Sequence, residues 1–147
     1  MHSRPYAQER DWLIRASGLD RPDQLTHRPV SAALAFAGQL AGRKERVQEL
    51  LDTLKTWVRD LNVVDYNPLE VVNQDLTDML DKAGKRIHPE QKLHWWQTID
   101  KAQKDIAGNA NLRLTLDVMA LGLRFHASGG KGPQQQWNNP RPKGLYQ

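Results

Sequence analysis

Hydrophobic residues recur at intervals of three and four along most of this chain, and the pattern is clearest between positions 47 and 61. The apolar positions there are Val47, Leu50, Leu51, Leu54, Trp57, Val58 and Leu61. This spacing places their side chains on one face of an α-helix. A helix from 43 to about 64 would be roughly 33 Å long at 1.5 Å per residue. It is expected to end before Pro68, because a proline disfavours helical geometry in the residue that precedes it.

Helical patterns also occur before this segment. One spans 6–16 and ends at Ser17-Gly18, and a second begins at Pro29 and ends at Gly42. Several alanines in the second helix would allow a neighbouring helix to approach closely. The inward positions expected there are Val30, Ala33, Leu34, Ala37 and Leu40.

The pattern is weakest between 69 and 87. Residues 71–75 are expected to be extended, and a short helix follows through Leu76, Met79 and Leu80. Pro89 then begins a fifth helix at its favoured first-turn position, with Glu90 near the positive end of the helix dipole. The inner stripe expected in the fifth helix is Leu93, Trp96, Ile99, Ala102 and Ile106.

The last helix, expected over 111–126, is apolar on two sides. Gly108 suits the left-handed position after the preceding helix, and Asn111 can cap the new one by accepting a hydrogen bond from an N–H group. A surface helix needs only one apolar stripe. Two stripes indicate that the helix is central in a monomeric bundle or packs its second face against another subunit. The stripes are Leu112, Leu116, Met119 and Leu123, and Leu114, Val118, Leu121 and Phe125.

The adjacent residues Trp95 and Trp96 cannot both lie centrally in one core stripe, because neighbouring helical positions point about 100° apart. Trp96 aligns with Leu93 and Ile99, which places Trp95 at the border of the core. Exposed tryptophan is enriched at interface hot spots. Trp95 therefore joins the eight residues of the two stripes as a candidate for a subunit interface, with packing under a neighbouring loop as the alternative.

These patterns predict an all-α fold, a single bundle of five to six helices over 1–126. A chain of 147 residues is about one domain's worth. After position 126 the composition changes to glycine, glutamine and proline with little to bury, so 127–147 is expected to be a disordered tail. A short docking motif built on Trp137 and Tyr146 is the alternative for that tail.

The net charge of +4 is unevenly distributed. Residues 1–46 and 127–147 each carry an excess of three bases, whereas 47–126 carry two more acids than bases. A nucleic-acid-binding domain would normally concentrate Lys and Arg on one face of its body. Binding of nucleic acid through the basic ends, including Arg43, Lys44 and Arg46, therefore stays as the second hypothesis.

No pattern in the sequence indicates a catalytic, metal or cofactor site. The chain has no cysteine and no long apolar run at its N-terminus, which favours a cytoplasmic protein without signal peptide or membrane span. The Gly-Gly-Lys-Gly run at 129–132 lacks the spacing and the Lys-Ser/Thr pair of a phosphate-binding loop. His88 and His94 lack further ligands nearby, and Asp75, Asp78 and Asp81 are typical of a solvated helix face.

Three segments, in order, resemble the C-terminal collar domain of the delta-prime subunit of the bacterial DNA polymerase III clamp loader. They are AALAFAGQLAGR at 32–43, LKTWVRDL at 54–61 and IAGNANLRLTLD at 106–117, which leads into the leucine-rich last helix. The resemblance covers about 6–126. The family's nucleotide-related motifs and zinc-binding cysteines have no counterpart here, and neither do its ATPase and lid domains.

The resemblance implies a non-catalytic domain, either excised from a longer subunit or naturally short. In the family, collar domains of five subunits pack into a closed ring that holds the ATPase domains in register. The expected partners are thus other clamp-loader subunits, and DNA is contacted only indirectly, through the assembly. No cofactor, metal or catalytic residue is implied for this chain.

Overall fold

The computed structural model describes residues 4–125, which form six α-helices joined by turns and short 3₁₀ helices, with no strand in that range. The predicted all-α helical bundle is confirmed. The predicted tail at 127–147 lies outside the described residues, as does the end of the last predicted helix at His126. The helices are α1 Arg4–Ser17, α2 Val30–Ala41, α3 Val47–Val63, α4 Thr77–Gly84, α5 Pro89–Ala107 and α6 Leu112–Gly122.

Helix α3 is the centre of the bundle, and all seven of its predicted apolar positions are buried. The indole Nε1 of Trp57 donates to the Leu19 carbonyl at 3.0 Å, so the largest buried side chain of α3 has its polar atom satisfied. Helices α1, α4 and α5 pack around α3. Since Gln48 bonds the Gln103 carbonyl and Lys55 bonds Asp100, α3 and α5 run antiparallel.

Helix α6 lies between α2 and α5. Arg113 donates to the Leu34 carbonyl and Arg124 donates to the Arg28 carbonyl, so α2 and α6 run antiparallel. A Cβ atom on Gly38 would lie 3.0 Å from the Arg113 guanidinium, which shows how closely the helices approach. The neighbouring helix that packs closely against the small residues of α2 is therefore α6 of the same chain.

The buried face of α2 differs from the predicted one. Ala33, Phe36, Ala37 and Leu40 are buried, whereas Val30 is about half exposed. The predicted inward position of Val30 is wrong. Val30 and Phe36 lie on opposite sides of the helix face that Ala33 and Leu40 define, and Phe36 is the one that enters the core. The face is thereby turned away from Val30.

The turn before α6 and the end of α6 both differ from expectation, whereas the cap of α6 does not. The residue with left-handed geometry is Asn109, with φ 70°, whereas Gly108 has φ −88°. Asparagine tolerates this region better than most residues, so the turn does not require the glycine there. The Asn111 side chain accepts from the Leu114 N–H at 2.8 Å, which confirms the predicted cap. Helix α6 ends at Gly122 rather than at 126, and the next three residues form a turn.

The segment that joins α3 to α4 is extended at Val71 but not through position 75 as predicted. It contains 3₁₀ helices at Pro68–Glu70 and Gln74–Leu76. Side chains rather than a regular ladder bond its backbone: the Asp60 carboxylate accepts from the N–H groups of Val72 and Asn73. Such bonds join residues that are a dozen positions apart in the sequence, and periodicity does not reveal them.

Candidate interaction surface

The outer face of α6 carries an exposed apolar stripe. Leu114 and Val118 are each 61% exposed and Phe125 is 60% exposed, while Leu121 beside them is partly buried. These four residues are the second of the two predicted stripes. Leu114 and Val118 lie one turn apart on α6, and Phe125 lies in the turn that follows the helix. Exposed apolar side chains grouped in this way mark candidate interaction sites. The stripe is therefore the part of the predicted site that is open to a partner.

The first predicted stripe forms the core instead. Leu116, Met119 and Leu123 are buried, and Leu112 packs partly buried against them. These side chains fill the space between α2 and α5, so their accessible surface is already used within the chain. They lie beneath the exposed stripe and are not themselves open to solvent.

The positions of the two tryptophans are the reverse of those predicted. Trp95 is 1% exposed and its Nε1 donates to the Leu123 carbonyl at 3.0 Å, whereas Trp96 is 36% exposed and Leu93 lies further out. The physical reason is that α5 packs against α6 as well as α3, which turns its buried face toward Trp95. Trp96 instead lies beneath the Lys55 ammonium, 4.7 Å from the ring centroid. Trp95 is thus a core residue rather than a border residue.

A groove between α3 and α5 was not anticipated from the sequence. Its volume is about 380 Å³, and Trp96 and Leu93 form its α5 wall. It arises because these two apolar side chains point outward from α5 instead of into the core. The other lining residues are Val58, Arg59, Asn62, Pro89 and Lys92.

The carboxylates and histidines considered for metal binding have structural roles in residues 4–125, where no group of three potential ligands occurs. Asp75 binds the Arg10 guanidinium through two hydrogen bonds of 2.9 and 2.8 Å. His88 caps α5 by accepting from the Glu90 N–H, and the His94 ring lies 2.9 Å from the Gly122 carbonyl. The His88 cap matches the helix-start interpretation, whereas Asp75 lies in a 3₁₀ helix and pairs with a buried arginine instead of lying on a solvated helix face.

Two of the three basic residues near the α2–α3 turn, Arg43 and Arg46, are engaged with the protein itself. The Arg46 guanidinium forms two hydrogen bonds of 2.8 Å to Glu9, and it also bonds Glu49. These bonds raise the pKa of Arg46 above its ordinary value. The Arg43 guanidinium lies 4.0 Å from the centroid of the Trp12 ring. Arg46, whose charge two carboxylates already balance, offers little to a phosphate.

A second exposed apolar group, also missed by sequence reasoning, lies between α3 and α4. Leu69 is 86% exposed, and Tyr66 and Val72 on the same segment are exposed as well. Of the three, only Val72 lies in the stretch expected to be extended, and the sequence carries no signal for which apolar residues of this segment stay exposed.

None of the helices in residues 4–125 has the length and apolar composition required to cross a bilayer. No family model, no curated protein and no solved structure matches this chain. The three segments of the collar-domain resemblance lie in α2 and its end, in α3, and across the α5–α6 connection. The resemblance therefore stands on those residues alone.

Proposed function

We propose that this chain is a non-catalytic subunit-assembly domain of a bacterial DNA polymerase III clamp loader. Its outer α6 face packs with the collar domains of other loader subunits and helps to hold the ring that loads the sliding clamp during DNA replication. The observation that carries the proposal is the exposed stripe of Leu114, Val118 and Phe125. A cytoplasmic location follows from this role.

The magnitude of burial favours assembly through a ring rather than through isolated pairs. Complete burial of a Leu, Val or Phe side chain contributes about 1.5 to 3 kcal/mol. The three side chains are already partly covered, so they would contribute about 3 to 5 kcal/mol together, before association costs are subtracted. One such face is too weak for a tight dimer, and several faces closed into a ring act cooperatively.

The second hypothesis, nucleic-acid binding through the basic ends, makes opposite demands. It needs cations that are available to phosphates, and it predicts an affinity that falls steeply with salt. The pairing of Arg46 with two carboxylates weighs against it. Arg43 and Lys44 in the same turn are exposed, so this hypothesis is tested directly alongside the first.

The test is size-exclusion chromatography with light scattering on the chain alone and mixed with the other clamp-loader subunits. We expect a mixed complex that the chain does not form alone. The double variant Leu114→Asp/Val118→Asp should lose the complex and keep its helical circular dichroism, because both side chains are largely exposed.

The matched control is Met79→Asp/Leu93→Asp, which adds the same two charges at exposed apolar positions of α4 and α5 and should leave the complex intact. A chain that stays monomeric beside all loader subunits, yet binds duplex DNA at low salt, would contradict the proposal and support nucleic-acid binding. Equal loss of assembly in the variant and the control would refute the assignment of the α6 face.

A further inference from the structure

The segment between α3 and α4 presents three apolar side chains to solvent. Tyr66 is 76% exposed, Leu69 is 86% exposed and Val72 is 47% exposed. We call residues 66–72 the apolar loop. Exposure this large for neighbouring apolar residues is costly, and on a folded domain it marks a contact surface. The apolar loop is separate from the α6 face and belongs to no function proposed above.

The backbone of the apolar loop is held in place by buried and half-buried polar groups. The Asp60 carboxylate, fully buried, accepts from Val72 N–H at 3.0 Å and from Asn73 N–H at 2.9 Å. The Gln74 amide donates to the Val71 carbonyl at 2.6 Å and bonds two further loop carbonyls, those of Pro68 and Leu69. The exposed side chains are thus displayed on a fixed backbone, and less ordering entropy is lost when a partner binds.

The surroundings of the apolar loop are acidic. Between positions 60 and 81 the chain carries six carboxylates and no lysine or arginine, but four of the six pair with cations from outside this range: Asp60 with Arg59, Asp65 with Lys92, Asp75 with Arg10 and Asp81 with Lys85. Glu70 and Asp78 form no ion pair within residues 4–125, and Asp65 is 3.5 Å from the Lys92 ammonium. The unpaired carboxylate of Glu70, next to Leu69 in the chain, favours a cationic segment that also carries apolar side chains.

The chain itself contains a segment of that composition. Residues 127–147 hold Lys131, Arg141 and Lys143 and no acid, together with Trp137, Leu145 and Tyr146. From charge complementarity and position, we propose that residues 127–147 dock on the apolar loop of the same chain. The match is one of composition: aromatic and basic residues in 127–147, and exposed apolar side chains beside the unpaired Glu70 in the apolar loop.

The start of this segment is close enough to reach. The Phe125 carbonyl accepts from the Gln91 amide at 2.9 Å, and Lys92, the next residue on α5, contacts Asp65 at the edge of the apolar loop. The twelve residues from Phe125 to Trp137 span up to about 40 Å when extended. The distance to be covered is short by comparison, because Phe125 and Asp65 contact neighbouring residues of α5. The segment is therefore long enough to dock on the apolar loop of its own chain.

The test uses the absence of cysteine, which makes a single introduced cysteine a unique labelling site. The full-length variant Asn138→Cys, labelled with a nitroxide beside Trp137, should broaden the methyl signals of Leu69 and Val72 in NMR spectra. Glu70→Lys should reduce the broadening, and so should raised salt, which screens the charge attraction. Glu45→Lys, the same charge change on an exposed acid near the α2–α3 turn, should leave it unchanged.

Three outcomes would overturn the proposal. One is broadening centred on Leu93 in the α3–α5 groove or on Val118 of α6. Another is broadening that responds equally to Glu70→Lys and Glu45→Lys. The third concerns a mixture of an isotope-enriched chain without nitroxide and a nitroxide-labelled chain without isotopes. If the Leu69 and Val72 signals broaden as much in this mixture as in the singly labelled chain, the contact belongs to a second copy. Clamp-loader assembly is read from light scattering, so neither result depends on the other.

Discussion

Replacement of Asp60 by asparagine is the sharpest perturbation of this fold. One carboxylate oxygen accepts from Val72 N–H and the Arg59 guanidinium, and the other accepts from the Asn73 backbone and side-chain N–H groups. In Asp60→Asn one of these oxygens becomes an NH₂ group that faces donors. Two hydrogen bonds to a charged group are then lost, and each contributes about 1.5 to 3 kcal/mol.

The expected loss in the free energy of unfolding is therefore about 3 to 6 kcal/mol, a large part of the 5 to 15 kcal/mol that is typical of a domain. Urea unfolding followed by circular dichroism measures it, and hydrogen exchange of the Val72 and Asn73 amides should accelerate. Asp78→Asn, at an exposed carboxylate, should change stability by less than about 0.5 kcal/mol. A loss below about 1 kcal/mol with unchanged exchange would refute the role of Asp60 in holding the apolar loop.

Two further predictions concern the packing of α3. Gly84→Ala should destabilise the protein by about 1 to 3 kcal/mol despite the better helix propensity of alanine, because the new Cβ atom would lie 2.6 Å from the Leu61 carbonyl oxygen. Urea unfolding checks this, and Gly108→Ala, where the nearest atom is 3.5 Å away, should not be destabilising. Hydrogen bonds from Lys104 and Lys55 lower the pKa of Asp100, so its contribution to stability is present above about pH 4 and is lost as the pH falls through the lowered folded-state pKa. Wild type and Asp100→Asn should differ in unfolding free energy at about pH 6 and converge toward about pH 3, and a constant difference would contradict this.

The candidate site was only partly predictable. The second α6 stripe emerged from the sequence as a face without a defined partner, and the structure leaves Leu114, Val118 and Phe125 exposed. The apolar loop was not predicted, because exposed apolar residues in an irregular segment produce no periodic pattern. Its fixed backbone depends on Asp60 and Gln74, whose hydrogen bonds join parts of the chain that periodicity treats separately.

The sequence by itself determined the helical class, the positions of the main helices and the buried face of α3. Apolar residues three and four positions apart share a helix face whatever the neighbouring helices are. The buried face of a helix with one strong apolar stripe, such as α3, can therefore be predicted from its own sequence. The Asn111 cap was equally local, since it involves a residue three positions away.

Only the tertiary structure decided which of two adjacent tryptophans is buried. Trp95 and Trp96 are equivalent by hydrophobicity, and α5 is turned by its simultaneous contacts with α3 and α6. The tertiary structure also decided that Phe36 rather than Val30 is buried on α2. It likewise decided that α6 ends at Gly122. The physical reason is that the buried arc of a helix between two neighbours is set by where both neighbours lie, and this information is spread over the whole chain.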